Sequence, residues 1–189
     1  MCGRYALDAP EKQALPKQFL RQSLPLPAGE VRPSDAAPVL TRRGVEFPVW
    51  GFLRPQGSGL IINARCESAR QKPLFRRAFA EGRAAAPASA FFEWRGKRQY
   101  RFTLPDRSYF YIAALCGLFS GALRFVLLTT AANASVAAVH ERMPLLLPED
   151  ALESWLHDEA AACALLESAP PPLRCDPPAP ECAQALSLF

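Results

Sequence analysis

Four short stretches of the chain carry residue types that can do chemistry. The first is Met1-Cys2-Gly3-Arg4-Tyr5. With Met1 removed, Cys2 carries a free α-amine beside its thiol, a 1,2-aminothiol. An α-amine has a reference pKa of about 7.7–8.0, so a useful fraction is neutral near pH 7. A neutral amine attacks an aldehyde to give a Schiff base. The neighbouring thiol can then close a five-membered thiazolidine ring, an intramolecular step favoured by proximity. The second stretch is Ile61-Ile62-Asn63-Ala64-Arg65-Cys66-Glu67-Ser68, where an apolar strand delivers Asn63, Arg65 and Glu67 in alternation to one face. Asn supplies donors and an acceptor, and Arg supplies a two-pronged phosphate fork. The third is Phe91-Phe92-Glu93-Trp94, one carboxyl among three aromatics. Buried there, Glu93 would have a raised pKa and could act as general acid or base near neutrality. The fourth is His140-Glu141-Arg142-Met143-Pro144. An imidazole moves protons near pH 7, and Arg142 beside it can hold a phosphate. No second His follows at the spacing of a zinc-protease helix, so that reading fails. His157, after Trp155-Leu156, reads as a surface or core residue. Each stretch taken alone also has a plain reading: Cys2 as an accident of position, Asn63 as a polar strand end, Glu93 as an exposed strand-edge carboxylate.

Strands and helices must bring these residues together. Met1–Leu7 reads as a strand carrying the N-terminus inward. Asp8–Gln22 reads as a helix capped by Asp8, with an apolar face at Leu15, Phe19 and Leu20 and a kink at Pro16. Leu24–Pro38 reads as loop, and Glu46–Leu53 and Leu60–Ala64 as strands around the flexible turn Gln56-Gly57-Ser58-Gly59. Pro73–Glu81 has helical spacing. Phe91–Trp94, Gln99–Leu104, Tyr109–Leu118 and Leu123–Thr130 are short strands separated by turn signals, which favours antiparallel pairing. Ser135–Val139 reads as one helical turn, and Pro148–Leu156 and Glu159–Glu167 as helices. The expectation is one α+β domain over 1–167, with an antiparallel sheet core and flanking helices. A Pro-rich tail over 168–189 would be extended or mobile.

Composition narrows the class. The chain has 189 residues, enough for one domain, with 50% hydrophobic and 21% charged residues. Those fractions exclude wholesale disorder. No apolar run reaches the ~20 residues a bilayer span needs, and no secretory signal is visible, so a cytoplasmic protein is expected. The six cysteines include no C-x-x-C pair, so a zinc site or disulfide framework is not indicated. Charge is uneven: residues 42–107 hold 14 Lys+Arg and 5 Asp+Glu, a balance of +9, against 8 and 13 elsewhere, a balance of −5. A phosphate-binding face produces such asymmetry.

Taken together, Cys2-Gly3-Arg4-Tyr5, Asn63-Ala64-Arg65-Cys66-Glu67, Phe92-Glu93-Trp94, Thr129–Asn133 and His140-Glu141-Arg142-Met143-Pro144 occur in one order, with Trp50-Gly51-Phe52 and Phe75 between them. In this the chain resembles the SOS response-associated peptidase (SRAP) family, self-processing proteins that shield abasic sites in single-stranded DNA, over about residues 2 to 158. The resemblance implies an α+β fold with a central antiparallel, barrel-like sheet. It implies that Cys2 forms a thiazolidine with the ring-opened abasic sugar, that Asn63 positions the amine and sugar, that Glu93 transfers protons, and that His140 assists sugar opening. It places Arg4, Arg65 and Arg142 on phosphates, and Trp50 and Thr129 with the DNA-contacting set. It implies no cofactor and no metal, and covalent capture of abasic single-stranded DNA by a monomer that joins the nucleoid when DNA-bound. Self-processing of the cysteine-peptidase type would expose Cys2, with weak lyase activity on abasic sites as a side reaction. The chain departs from the family at Glu30-Val31-Arg32-Pro33, where an N-x-A-P pattern is usual. It also departs at Gln56–Gly59, where an aromatic wedge is usual, and in the Pro-rich tail. Two other readings compete: an amide hydrolase using an N-terminal Cys nucleophile, and a non-covalent single-strand binder built on the basic 42–107 region.

Overall fold

In the computed structural model, which describes residues 2–8 and 29–176, two open sheets face each other across a shared core. The first sheet has the order β16-β11-β10-β1-β2. Its strands are β1 (Tyr5–Leu7), β2 (Gly29–Val31), β10 (Ala90–Arg95), β11 (Arg98–Thr103) and β16 (Arg174–Asp176). The second sheet runs β14-β13-β12-β9-β3-β4. It is built from β3 (Val39–Thr41), β4 (Gly44–Glu46), β9 (Arg83–Ala88), β12 (Phe110–Phe119), β13 (Ala122–Ala131) and β14 (Arg142–Pro144). Three further segments attach to it: β5 (Val49–Trp50) and β8 (Asn63–Arg65) run parallel to β13, and β15 (Leu146–Leu147) pairs with β12. A separate two-stranded ribbon joins β6 (Phe52–Leu53) to β7 (Leu60–Ile61). The fold is α+β as expected. The two sheets oppose one another as a barrel's walls do, without closing.

Period-two alternation explains why the second sheet lies in the middle. On β12, Phe110, Ile112, Ala114 and Cys116 enter the core shared with Tyr5, Phe91 and Phe102 of the first sheet. Their neighbours Tyr111, Ala113 and Leu115 enter a second core, under the helices. That outer layer consists of α1 (Cys66–Ala69), α2 (Pro73–Glu81), α3 (Leu152–His157) and α4 (Glu159–Leu166). Helix α2 begins with Pro73 and buries Phe75, Ala78 and Phe79, the residues whose spacing predicts it. Asp158 caps α4 by accepting from the Ala160 and Ala161 N–H groups at 2.8 and 3.1 Å.

Several expectations are refined. The strand expected over Glu46–Leu53 is broken after β4 by Phe47-Pro48 and continues as β5 and β6. The loop expected over 24–38 contains β2. The helix expected at Asp8–Gln22 lies, beyond Asp8, outside the described residues. Within the expected tail, Arg174–Asp176 join the first sheet as β16. Among the described residues no helix is long and apolar enough to cross a membrane.

One topological detail builds the site. Strands β12 and β13 form a hairpin through Ser120 and Gly121, both at positive φ, as a two-residue type I′ turn requires. They pair only as far as Ala114↔Leu127. Beyond that point they splay, and the β14–β15 segment enters between them. Leu145 donates to Leu128 O at 2.9 Å, and its own carbonyl accepts from the Ala113 N–H at 2.9 Å. Thr129 pairs with Pro144 and with Arg65, so β14 and β8 flank β13 on opposite edges. The stretches containing His140 and Asn63 thereby meet at one end of the sheet.

Candidate functional site

Cys2 lies at the entry to β1, fully buried between the two sheets. Its carbonyl accepts from Asn63 Nδ2 at 2.8 Å, a bond to the second sheet. On the other side, the Phe92 N–H donates to Arg4 O at 3.0 Å and ties the same segment to β10. Glu93 follows on β10. Alternation places it on the face of Phe91, toward the inter-sheet core, and it is 1% exposed. Burial pushes the Glu93 carboxyl up to about 7 from its ordinary 4.5. Burial, and then the Glu93 charge, push the Cys2 thiol up to about 12. The resting sulfur is therefore a thiol rather than a thiolate. Its Sγ lies 3.4 Å from Arg4 O.

Asn63 enters through β8, in register with Leu127. One end of its amide is spent on Cys2, while its Oδ1 is buried and accepts no hydrogen bond among the described residues. His140 reaches the same end of the sheet just ahead of β14. Its Nδ1 lies 2.9 Å from the Arg142 nitrogen and 3.2 Å from the Arg142 carbonyl oxygen, accepting from the one or donating to the other according to the ring's tautomer. Burial lowers its pKa and favours the neutral ring. A neutral imidazole is suited to passing a proton.

The residues expected to contact DNA divide in two. Arg65 is exposed at the end of β8. Arg4 is partly exposed, pairs with Glu30 at 3.2 Å and lies over the Trp94 ring at 5.3 Å. The other three residues are not available as expected. Arg142 is 9% exposed, and its guanidinium is committed: it donates to both oxygens of Glu67 at 2.6 and 2.9 Å and to Thr129 O at 2.6 Å. That fork clamps α1 to the β13–β14 edge and fixes the backbone that holds His140. Trp50 is fully enclosed, stacked on Phe125 at 6.0 Å, with Nε1 donating to Ile62 O at 2.9 Å. Thr129 is fully buried, and its hydroxyl donates to Ala64 O at 3.4 Å. Neither side chain offers a surface to DNA, because packing between sheets consumes both. Sequence reasoning missed the partner of Arg142: Glu67 stands in a singled-out stretch, but nothing local links it to a cation 75 residues away. It also missed Trp94 as the ring under Arg4, which lies opposite Phe92 and so diagonal to Trp94.

Comparison with known proteins follows the same outline. The family model described as SOS response associated peptidase (SRAP) matches residues 1–177. The abasic site processing protein YoaM of Bacillus subtilis (strain 168) is 27% identical over 191 residues, covering 89% of this chain and 84% of its own. The abasic site processing protein YedK of Escherichia coli (strain K12) is 28% identical over 183 residues, covering 84% of this chain and 81% of its own. A crystal structure of a Bordetella bronchiseptica protein superposes with a TM-score of 0.78 at 24% identity, covering 93% of this chain and 99% of that one. A Bacteroides thetaiotaomicron protein does so at 0.69 and 21%, covering 87% and 86%. These two likenesses concern the fold.

Proposed function

The chain belongs to the SOS response associated peptidase (SRAP) family, and from that footing we propose that it processes abasic sites in single-stranded DNA by capturing the sugar aldehyde on the Cys2 aminothiol. The observation that carries this reading is the placement of Cys2, buried between Asn63, which holds its carbonyl at 2.8 Å, and a carboxyl that titrates near neutrality.

Cleavage of the Met1–Cys2 bond exposes the α-amine and is the peptidase-type step. The neutral His140 ring assists opening of the deoxyribose to its aldehyde by relaying the hydroxyl proton. The amine attacks the aldehyde carbon, and the carbinolamine formed must lose water. Glu93, whose carboxyl burial pushes up to about 7, gives its proton to the departing hydroxyl. The resulting imine carbon is electrophilic, and the Cys2 sulfur adds to it. The thiol proton passes to the Glu93 carboxylate, restoring the acid, and the nitrogen, which kept its own hydrogen as the protonated imine, becomes the neutral ring amine when the C–S bond forms. The net change is loss of one water, with one C–N and one C–S bond formed. With a thiol pushed to about 12, the sulfur is a poor nucleophile toward anything but such an activated, adjacent carbon. That protects it before DNA arrives. Where the ring has not closed, removal of the C2′ proton from the imine leads to β-elimination, a weak lyase side reaction.

The test combines intact mass with a denaturing gel. The purified protein is expected to lack Met1 and to gain one abasic oligonucleotide, less one water, as an adduct that survives SDS. Cys2→Ala is expected to bind the strand and form no stable adduct. Met1 retained on cross-linking protein, or a stable adduct with Cys2→Ala, would overturn the reading.

A further inference from the structure

Strands β10 and β11 are joined by the two-residue turn Gly96-Lys97, with Gly96 at φ +62, as a tight hairpin turn requires. This register sets Arg95 directly opposite Arg98, and like charges facing each other across a ladder destabilise a hairpin. Arg95, Lys97 and Arg98 are all exposed. None of the three has an ion pair or side-chain hydrogen bond among the described residues. Arg4, Arg32, Arg77, Arg101, Arg107 and Arg142 each meet a carboxylate. The hairpin tip thus carries three uncompensated positive charges in an arrangement the fold alone disfavours.

Its position gives that charge a target. Arg95 is two residues beyond Glu93 on the same strand, roughly 7 Å along it and on the same face. Arg65 stands in the same relation to Asn63, two residues on along β8, and Arg70, Lys72 and Arg76 follow it in the chain, all exposed and without an ion pair among the described residues. Each sheet therefore sends one strand past the Cys2 site into bare cations. A single phosphate would satisfy one of these groups. Only an extended polyanion crossing the site would meet both.

We infer that the β10–β11 hairpin is a phosphate-gripping arm that binds the DNA backbone on one flank of the lesion, opposite the Arg65 side. This inference rests on the abasic-DNA reading above. The phosphates supply the anions that the facing pair Arg95 and Arg98 lack.

The experiment compares wild type with the triple variant R95Q/K97Q/R98Q and the charge-keeping control R95K/R98K. The first readout is affinity for an undamaged single strand of ~20 nucleotides as salt is varied, where each phosphate contact adds about 0.7 to the slope of log K against log salt. The triple variant is expected to lose about 2 from that slope, and the control to keep it. The second readout is the rate of covalent capture of two probes, a ~20-nucleotide abasic strand and 2-deoxyribose 5-phosphate, whose single phosphate cannot occupy a line of contacts along a strand. Capture of the strand is expected to slow about tenfold or more in the triple variant, and capture of the sugar phosphate to stay unchanged. Thermal melting is expected to be equal or higher, since a repulsive pair is gone. An unaltered slope, or an equal loss of rate on both probes, would overturn the inference. Failure of every protein to capture either probe would overturn the covalent reading instead, and the slope comparison would still decide the hairpin.

Discussion

Replacing Glu93 by Gln separates two consequences of a buried carboxyl that run in opposite directions. Glu93 is 1% exposed, and burial lifts its carboxyl from 4.5 to about 7. Ionising it in the fold costs roughly 3 kcal/mol more than ionising it in the unfolded chain. Between pH 4.5 and about 7 the native state holds a proton that the unfolded chain releases. Its contribution to stability is therefore full below the unfolded value and is lost as pH rises through about 7. A carboxamide keeps the shape and never ionises. Glu93→Gln should be more stable than wild type above neutrality by up to roughly 3 kcal/mol, with the difference shrinking toward acid. Cross-linking should fall by ~10²–10⁴-fold, the usual contribution of a general acid–base group. In wild type, the acid form of Glu93 is lost above about pH 7 while the free amine, with a reference pKa near ~8, gains its neutral form. The rate should therefore pass through a maximum near neutrality. The assay is urea unfolding of both proteins on either side of that window, alongside quenched gels of adduct formation with an abasic strand. A wild-type cross-linking rate in Glu93→Gln would show that no proton passes through this carboxyl. A stability difference independent of pH would show that burial does not perturb it.

Three further outcomes are expected. Cys2→Ser keeps the amine but has a far weaker ring-closing nucleophile, so it should give a labile imine trappable by borohydride, with some strand cleavage; a stable, reductant-independent adduct on a denaturing gel would refute the thiol's role. Glu67→Gln removes the anion from the nearly buried Arg142, whose hydrogen bonds hold the Glu67 carboxyl below its usual range. It should cost about 1–3 kcal/mol at neutral pH, remove the loss of stability that wild type shows as pH falls through that carboxyl's range, and slow sugar opening through His140; urea unfolding and cross-linking against pH read all three. Arg83, 1% exposed, donates to the carbonyls of Phe79, Trp155 and Leu156 at the ends of α2 and α3 and makes no ion pair among the described residues. Arg83→Leu strands those carbonyls and should cost about 2–4 kcal/mol by urea unfolding, with cross-linking unaltered at a temperature where the variant is folded.

Strands β10 to β13 were legible in the sequence because each pairs aromatic and β-branched residues with a turn dipeptide that admits positive φ, Gly96 in one hairpin and Ser120-Gly121 in the other. Strand β9, Arg83-Ala84-Ala85-Ala86-Pro87-Ala88, was not. Alanine favours helix by intrinsic propensity, and proline argues against a central strand. Tertiary context decides in favour of a strand. The alanines enter both cores, where small side chains let the sheets and helices close on one another. Pairing with β3 stops at Ala85, so Pro87 interrupts no ladder on that edge. The same contrast holds at the site. Glu93 could be singled out because a carboxyl among aromatics is chemically anomalous wherever it lies. Trp50, Thr129 and Arg142 could be singled out but not assigned, because their roles depend on partners distant in sequence: Phe125, Ala64 and Glu67.

Those partners show why the reactive groups gather at this end of the fold. The Cys2–Arg4 segment is held by one hydrogen bond to each sheet, Asn63 to the Cys2 carbonyl and Phe92 to the Arg4 carbonyl, so the position of Cys2 is set by the separation of the sheets rather than by its own short strand. That separation is set in turn by the aromatic stack of Tyr5, Trp50 and Phe125, with centroids 5.4 and 6.0 Å apart. Trp50 therefore bears on the chemistry without touching DNA, since truncating it would let the sheets move and carry Asn63 away from Cys2. The Glu67–Arg142 fork acts likewise on His140, because it fixes the β14 entry that the splayed β12–β13 hairpin admits. The buried members of the expected DNA-contacting set thus hold the machinery in register. The phosphate contact proposed above falls to exposed cations that meet no carboxylate among the described residues, Arg65 at the end of one sheet and the β10–β11 turn at the end of the other.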